Sequence, residues 1–335
     1  MTAPARIDLR DASTFPSRRV EDWKYTDLRR FLRETPSASP EITVDAPGPF
    51  AAIGGSETVF ANGRLTADAA AGAVRRLRFV SRGEGGHQTG VSVDVPAGET
   101  VLLLESHEGE GGYVANVALT LTLGEGAQLH RIVVADESEA AISLVRADVS
   151  LARGAAFSQT TLLSGAKIQR HETYVVHPGE GASVRMDGLY VLSGARHADL
   201  TSEVDHSGPD GVTTELTKGV VKDSARGVFQ GRIVVREGAD GTDARMGHHA
   251  LILSERGEVD AKPELEIYAD DVACAHGNTV GSLDENALFY ARSRGIPEDQ
   301  ARAMLTEAYL AEVIDRVERE DVRDIARAWL VERLA

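Results

Sequence analysis

Along this 335-residue chain the spacing of apolar residues changes twice. In residues 18–33, RRVEDWKYTDLRRFLR, the positions Val20, Trp23, Asp27, Leu28, Phe31 and Leu32 fall near helical spacing. They predict a short amphipathic helix with Trp23 and Phe31 in its apolar stripe. The next stretch, ETPSASPEITVDAPGPF, holds Pro36, Pro40 and Pro47 and reads as a linker. From about residue 55 to residue 281 helical periodicity gives way to short runs of Val, Ile, Leu and Thr separated by glycine-centred turns, the pattern of a long all-β region.

That region repeats. VDVPAGETVLLL, LTLGEGAQLHRIVV, VSLARGAAFSQTTLL, VVHPGEGASVRMDGLYVL and VVREGADGTDARM each place a strand, a glycine turn and a second strand in the same order. The turn glycines Gly98, Gly126, Gly154, Gly181, Gly211 and Gly238 are separated by 28, 28, 27, 30 and 27 residues. A near-constant step of this length marks a solenoid, in which each unit buries its apolar face by stacking on its neighbours. The regular Leu and Asn ladder of leucine-rich repeats is missing, and sandwich turns recur every ~8–12 residues. A mainly β fold, a stacked parallel β-helix, is the expectation.

After Gly281 the pattern becomes helical. Ser282 and Glu285 have capping-box spacing, and Gly295 can close that helix in a left-handed conformation. Pro297 suits the first turn of a second helix with the stripe Ala301, Met304, Leu305, Ala308, Val313, Ile314 and Val317. A third helical segment puts Val322, Ile325, Ala326, Trp329 and Leu330 on one face, with a break expected near Glu320 and Asp321. The organisation expected is an N-terminal helical segment and linker over 1–50, a β-helix core over 51–281 and a C-terminal helical domain over 282–335.

Charge removes several function classes. With 36 basic and 52 acidic residues the net charge is −16, which opposes nucleic-acid backbones and anionic membranes as partners. No run approaches the ~20 apolar residues of a spanning helix, and the N-terminal MTAPARIDLRDASTFPSRR lacks the layout of a signal segment. A cytoplasmic location is expected, and the single cysteine fits a reducing compartment. No Walker-type loop, G-x-S-x-G elbow or H-E-x-x-H helix occurs, so the chain is not expected to be an enzyme. The acidic neighbours Asp270 and Asp271 suit a turn better than a catalytic pair.

The one chemically suggestive stretch is ADDVACAHGNTVG, residues 269–281, where Cys274 lies two residues before His276. On a strand, Val272, Cys274 and His276 share one face, with alternate residues ~6–7 Å apart. The small Ala273 and Ala275 suit an inward face, which would turn Cys274 and His276 outward. The pair is either half of a metal site or a packed thiol beside an imidazole; a closed zinc or iron–sulfur site takes four ligands. His248 and His249 are adjacent and point to opposite faces of a strand. The other seven histidines show no ligand spacing.

Residues 246–296, MGHHALILSERGEVDAKPELEIYADDVACAHGNTVGSLDENALFYARSRGI, resemble the C-terminal signature of the SufD family of the Suf iron–sulfur cluster assembly machinery, and SRRVEDWKYTDLRRF is similar to that family's opening segment. SufB-type chains are a poorer match because they carry several cysteines. The resemblance implies a right-handed parallel β-helix and a non-catalytic scaffold role in a SufBCD-type complex. It implies a SufC-like ATPase on the C-terminal helices, where Val322, Ile325, Trp329 and Leu330 either bind that partner or cap the solenoid. It also implies a SufB-like subunit at an interface containing Cys274 and His276, where iron or a nascent cluster is held transiently. Many family members have a longer N-terminal region. The sequence carries no signal for or against a flavin, and a homodimer of the chain alone is a further expectation to test. A rival reading is a polysaccharide-binding or carbohydrate-active β-helix, which the 5% aromatic content disfavours. A plain homodimeric solenoid is another.

Overall fold

The computed structural model describes residues 6–69, 71–177 and 179–334, so the first five residues of the N-terminal segment lie outside the described residues. The strands begin with β1 (Ser56–Ala61), β2 (Arg64–Ala67), β3 (Val74–Arg82), β4 (Gly86–Val95), β5 (Thr100–Glu110), β6 (Val114–Leu123), β7 (Gln128–Asp136) and β8 (Ile142–Leu151). They continue with β9 (Ala156–Leu163), β10 (Ile168–His177), β11 (Ser183–Leu192), β12 (His197–His206), β13 (Val212–Val221), β14 (Arg226–Val235), β15 (Asp243–Ile252), β16 (Glu258–Ile267) and β17 (Ala273–Gly281).

From β3 onward successive strands alternate between two sheets. One runs β17-β15-β13-β11-β9-β7-β5-β3-β1-β2 and the other β16-β14-β12-β10-β8-β6-β4. Each repeat therefore gives one strand to each wall of a parallel β-solenoid, as the repeat predicts. Thr100 pairs with Gln128, Gln128 with Ala156, Ala156 with Ser183, Ser183 with Val212 and Val212 with Asp243.

The turns carry the repeat in hydrogen bonds. Gly98, Gly126, Gly154 and Gly181 all have positive φ, and each donates its N–H to the chain one repeat later, at Glu125, Arg153, Glu180 and Pro209. The next two members are not the expected Gly211 and Gly238. Asp210 (φ 57°) donates to Asp240, and Gly241 (φ 76°) donates to Asp271. An aspartate tolerates the left-handed region that glycine favours, so the turn position moves by one residue at Asp210 and by three at Gly241 while the backbone ladder continues. Gly211 serves another need, since a Cβ there would lie 2.5 Å from His206 Nδ1.

Alternation of side chains fills the lumen. Val117, Leu119, Leu121 and Leu123 of β6 face Leu103, Leu129 and Phe157 in one continuous aliphatic core. Burying each such side chain contributes roughly 1.5–3 kcal/mol, which explains why a single repeat could not stand alone.

The N-terminal segment departs from the expected amphipathic helix. A 3-10 turn at Glu21–Trp23 and one α-turn, α1 (Leu28–Phe31), are joined by a bend at Lys24 and Tyr25. Trp23 and Leu28 are buried while Val20 and Phe31 are exposed. Contacts to the seven-stranded sheet override helical spacing: the Arg170 guanidinium lies 4.2 Å from the Trp23 ring and donates to the Asp22 carbonyl (2.7 Å). This segment is a strap across the outside of that sheet.

At the other end come α2 (Glu285–Ser293), α3 (Glu298–Ile314) and α4 (Glu320–Leu334). Asp284 rather than Ser282 caps α2, accepting from the Asn286 N–H, and Gly295 (φ 86°) follows the end of the helix as expected. Pro297 sits one position earlier than expected, as the N-cap of α3. The helix break spans 315–319 and ends immediately before Glu320, near where it is expected. The helices lie against the outer face of the ten-stranded sheet, joining Val313, Ile314 and Leu330 to Leu104, Ile132, Leu162 and Leu189. Lys218 Nζ pins α3 to the sheet by donating to the Tyr309 carbonyl (3.0 Å).

Candidate functional site at the open end of the solenoid

The two ends of the solenoid are finished differently. At the first end, β2 folds back antiparallel onto β1, and linker residue Ala38 bridges to Gly86 on the edge of β4. At the last end β16 and β17 are edge strands that pair with no further strand among the described residues. Backbone donors and acceptors there are left to water or to another chain.

Cys274 and His276 sit on this last strand. Their register partners on β15 are Ala244 and Met246, both buried in the lumen, and Cys274 and Val272 pack against the same cluster of Phe229, Ile233 and Val235. Parallel neighbours in register point the same way. The pair therefore faces the lumen at its mouth, which corrects the expectation that it points outward with the alanines inside. The alanine argument failed because the mouth is open, so small size gave no information about direction.

The two side chains differ in environment. Cys274 is half-buried and burial pushes its thiol up, so it is protonated at neutral pH; His276 is exposed. Beside them lies Asn278, in register with His248. Burial holds the His248 imidazole down at about 4, so it is neutral. One arrangement satisfies both its nitrogens: Nδ1–H donates to Asn278 Oδ1 (2.7 Å) while Nε2 accepts from the Tyr190 hydroxyl (2.9 Å). The ring also stacks on Phe229 at 4.7 Å. His249, on the opposite face, meets Thr279 instead. Sequence reading separated the two histidines correctly but missed Asn278, whose signal was its offset of one repeat from His248.

Below the mouth the lumen is polar. Glu105, Arg131 and Gln159 form a closed network in which Arg131 holds both Glu105 oxygens at 2.9 Å and donates to Gln159 at 2.7 Å. Burial pushes the Glu105 carboxyl up, but Arg131 and His107 outweigh it and hold it at about 2. Nearer the mouth Glu215 has no cation. Ser202 donates to its Oε2 (2.7 Å), Oε1 is buried without a partner, and burial pushes the carboxyl up to about 7. It borders a cavity of about 30 Å³, room for one water.

The four C-terminal residues expected at a partner interface are used within the chain. Val322, Trp329 and Leu330 are buried and Ile325 packs against the same cluster. They cover the flank of the ten-stranded sheet, so neither the end of the solenoid nor a free surface is theirs. The helical module instead exposes Phe289 (71%), Tyr290 (60%) and Met304 (50%). Among the described residues no group of three or more His, Cys, Asp or Glu side chains able to hold a metal ion occurs, at Cys274 and His276 or elsewhere. No helix of the described residues is long and apolar enough to cross a membrane.

Residues 79–309 match the family described as SUF system FeS cluster assembly, SufBD core domain. The chain is similar to the iron–sulfur cluster assembly protein SufD of Escherichia coli K12, with 36% identity over 216 residues, 64% of this chain and 51% of that protein. It is similar to an iron–sulfur cluster assembly SufBD family protein of Synechocystis, with 31% identity over 58% of this chain and 43% of that protein. SufD of Bacillus subtilis matches with 33% identity over 43% of this chain and 33% of that protein. The chain thus spans about half the length, or less, of these curated relatives.

Proposed function

This chain belongs to the SufBD core family of the SUF iron–sulfur cluster assembly system, and from that premise we propose that it is a non-catalytic scaffold subunit of a SufBCD-type complex. A SufB-like subunit seats on the open end of the solenoid and completes a site of which Cys274 and His276 are one half. Iron or the nascent cluster is cargo of this shared site. A SufC-like ATPase docks on the helical module through Phe289, Tyr290 and Met304, three of the large hydrophobic side chains that module leaves exposed alongside Val331. The setting is the cytosol, where a lone thiol stays reduced.

The observation that carries this reading is the coincidence of the only cysteine, a histidine and two unpaired sheet edges at one end of the molecule. Thiolate and neutral imidazole are both iron ligands, and a two-ligand half-site is useful only when a second surface supplies the rest. His276 is accessible as it stands. Cys274 must lose a proton that burial holds on it, and a cation arriving from the partner side would favour that loss.

The test is anaerobic cluster assembly on the complex purified after co-expression with the partner subunits. His276→Ala is expected to lower cluster yield more than Cys274→Ser while the complex still elutes intact. Equal yield from His276→Ala and wild type would overturn the half-site.

A further inference from the structure

The strap and the seven-stranded sheet enclose a groove of about 920 Å³ that the assembly reading does not use. Its walls carry Arg18, Lys24, Arg30, Lys167 and Arg256, none of which forms an ion pair with a carboxylate among the described residues. In a molecule with 52 acidic and 36 basic residues, five unpaired cations around one concavity run against the average composition. Arg226, the sixth, is held by Asp260 (2.8 Å), and three carboxylates also line the groove, so the balance there is positive while the chain is strongly negative. A cleft with a local excess of one sign of charge attracts a small ion of the opposite sign.

Two further features narrow the ligand. Phe31 is 41% exposed and Tyr25 lines the same wall. Arg30 and Lys167 lie 5.4 and 5.7 Å from the Phe31 ring centre, and Lys24 lies 5.5 Å from that of Tyr25. Rings and cations together suit a planar group bearing phosphate. Asp27 also lines the groove, though its Oδ1 is turned into the protein, buried and without a hydrogen-bond partner. The floor is fixed, because the Thr26 hydroxyl donates to Asp199 and accepts from His197 Nε2–H (3.0 Å). The volume is within the range of small-molecule sites of roughly 300–1,000 Å³ and far exceeds a lone phosphate.

We propose that this groove binds a phosphorylated nucleoside, with the phosphates on Lys24, Arg30 and Arg256 and the base against Phe31. The proposal is independent of the assembly role.

The experiment is fluorescence anisotropy of a mant-labelled ADP titrated with the purified full chain, free of any ATPase subunit. Saturable binding is expected, competed by ADP and more weakly by pyrophosphate and by adenosine alone. Lys24→Gln with Arg30→Gln should weaken it ~10-fold or more, the loss of about 1.4 kcal/mol. Arg256→Gln, on the opposite wall and away from the strap, gives a second reading should the double variant disturb folding; it should weaken binding with the melting temperature unchanged. No saturable binding, or binding indifferent to Arg256→Gln, would overturn the site. Competition by pyrophosphate or a poly-glutamate peptide equal to that by ADP would overturn the nucleoside assignment in favour of a general polyanion groove.

Discussion

The first and last rungs of this solenoid are made from the same repeat and are finished in opposite ways. At the first, a two-residue Asn62–Gly63 turn, with both residues at positive φ, folds β2 onto β1. Gly86 exchanges hydrogen bonds with Ser37 and Ser39 of the linker. At the last, β17 is exposed along nearly its whole length and β16 is only half-covered. Terminal repeats of a solenoid need a cover to stay soluble and unpaired. The helices that could have supplied one lie on the flank instead. What the contrast teaches is that the same repeat can be finished in two ways: one end is closed by the chain's own hairpin and linker, and the other leaves two sheet edges open among the described residues.

The largest effect that tests this contrast is a packing deletion in each zone. Phe157→Ala, in the closed lumen, is expected to cost about 3–5 kcal/mol in denaturant unfolding, while Val272→Ala at the mouth of the isolated chain costs ~1 kcal/mol or less. Similar costs at both sites would mean that the mouth is already closed in solution.

A somewhat smaller effect comes from titration of the lumen. Glu215 has its folded pKa raised to about 7 from 4.5, so its charge costs stability as pH rises through that window, and Glu215→Gln should stabilise the chain by roughly 2–4 kcal/mol above pH 7 and little below pH 4.5. The opposite sign holds for His177 and His206, which burial pushes down to about 3 and about 4. They are neutral when folded and gain a proton on unfolding below 6.5, so stability falls as pH drops from 6.5 toward 4. Melting temperatures from pH 4 to 9 should therefore peak near neutrality in the wild type and stay high at alkaline pH in Glu215→Gln. A wild-type curve flat across that range would refute both assignments.

The smallest effect sharpens the capped end. At Gly63 (φ 75°) an added Cβ would lie 2.9 Å from that of His87, so Gly63→Ala should cost about 1–2 kcal/mol. The loss should appear first as faster hydrogen exchange in β1 and β2. Unchanged exchange there would show that the hairpin is not what seals this end.

Much of this was written in the chain. Apolar alternation interrupted by Gly98, Gly126, Gly154 and Gly181 specified a stacked solenoid, because a period-2 pattern with a constant turn interval has few other ways to bury itself. Helical periodicity after Gly281 likewise specified the C-terminal helices. Tertiary structure decided the rest. Whether Cys274 faces in or out depended on its register with Ala244, a contact 30 residues away. Whether Trp329 and Leu330 face a partner or their own sheet depended on where α4 lands, which its stripe does not encode. Trp23 and Phe31 share helical spacing, yet one is buried and the other exposed, because Arg170 and the Asp22 carbonyl hold the strap in place. Local sequence fixes which residues want burial, and only the packed molecule assigns each of them a neighbour.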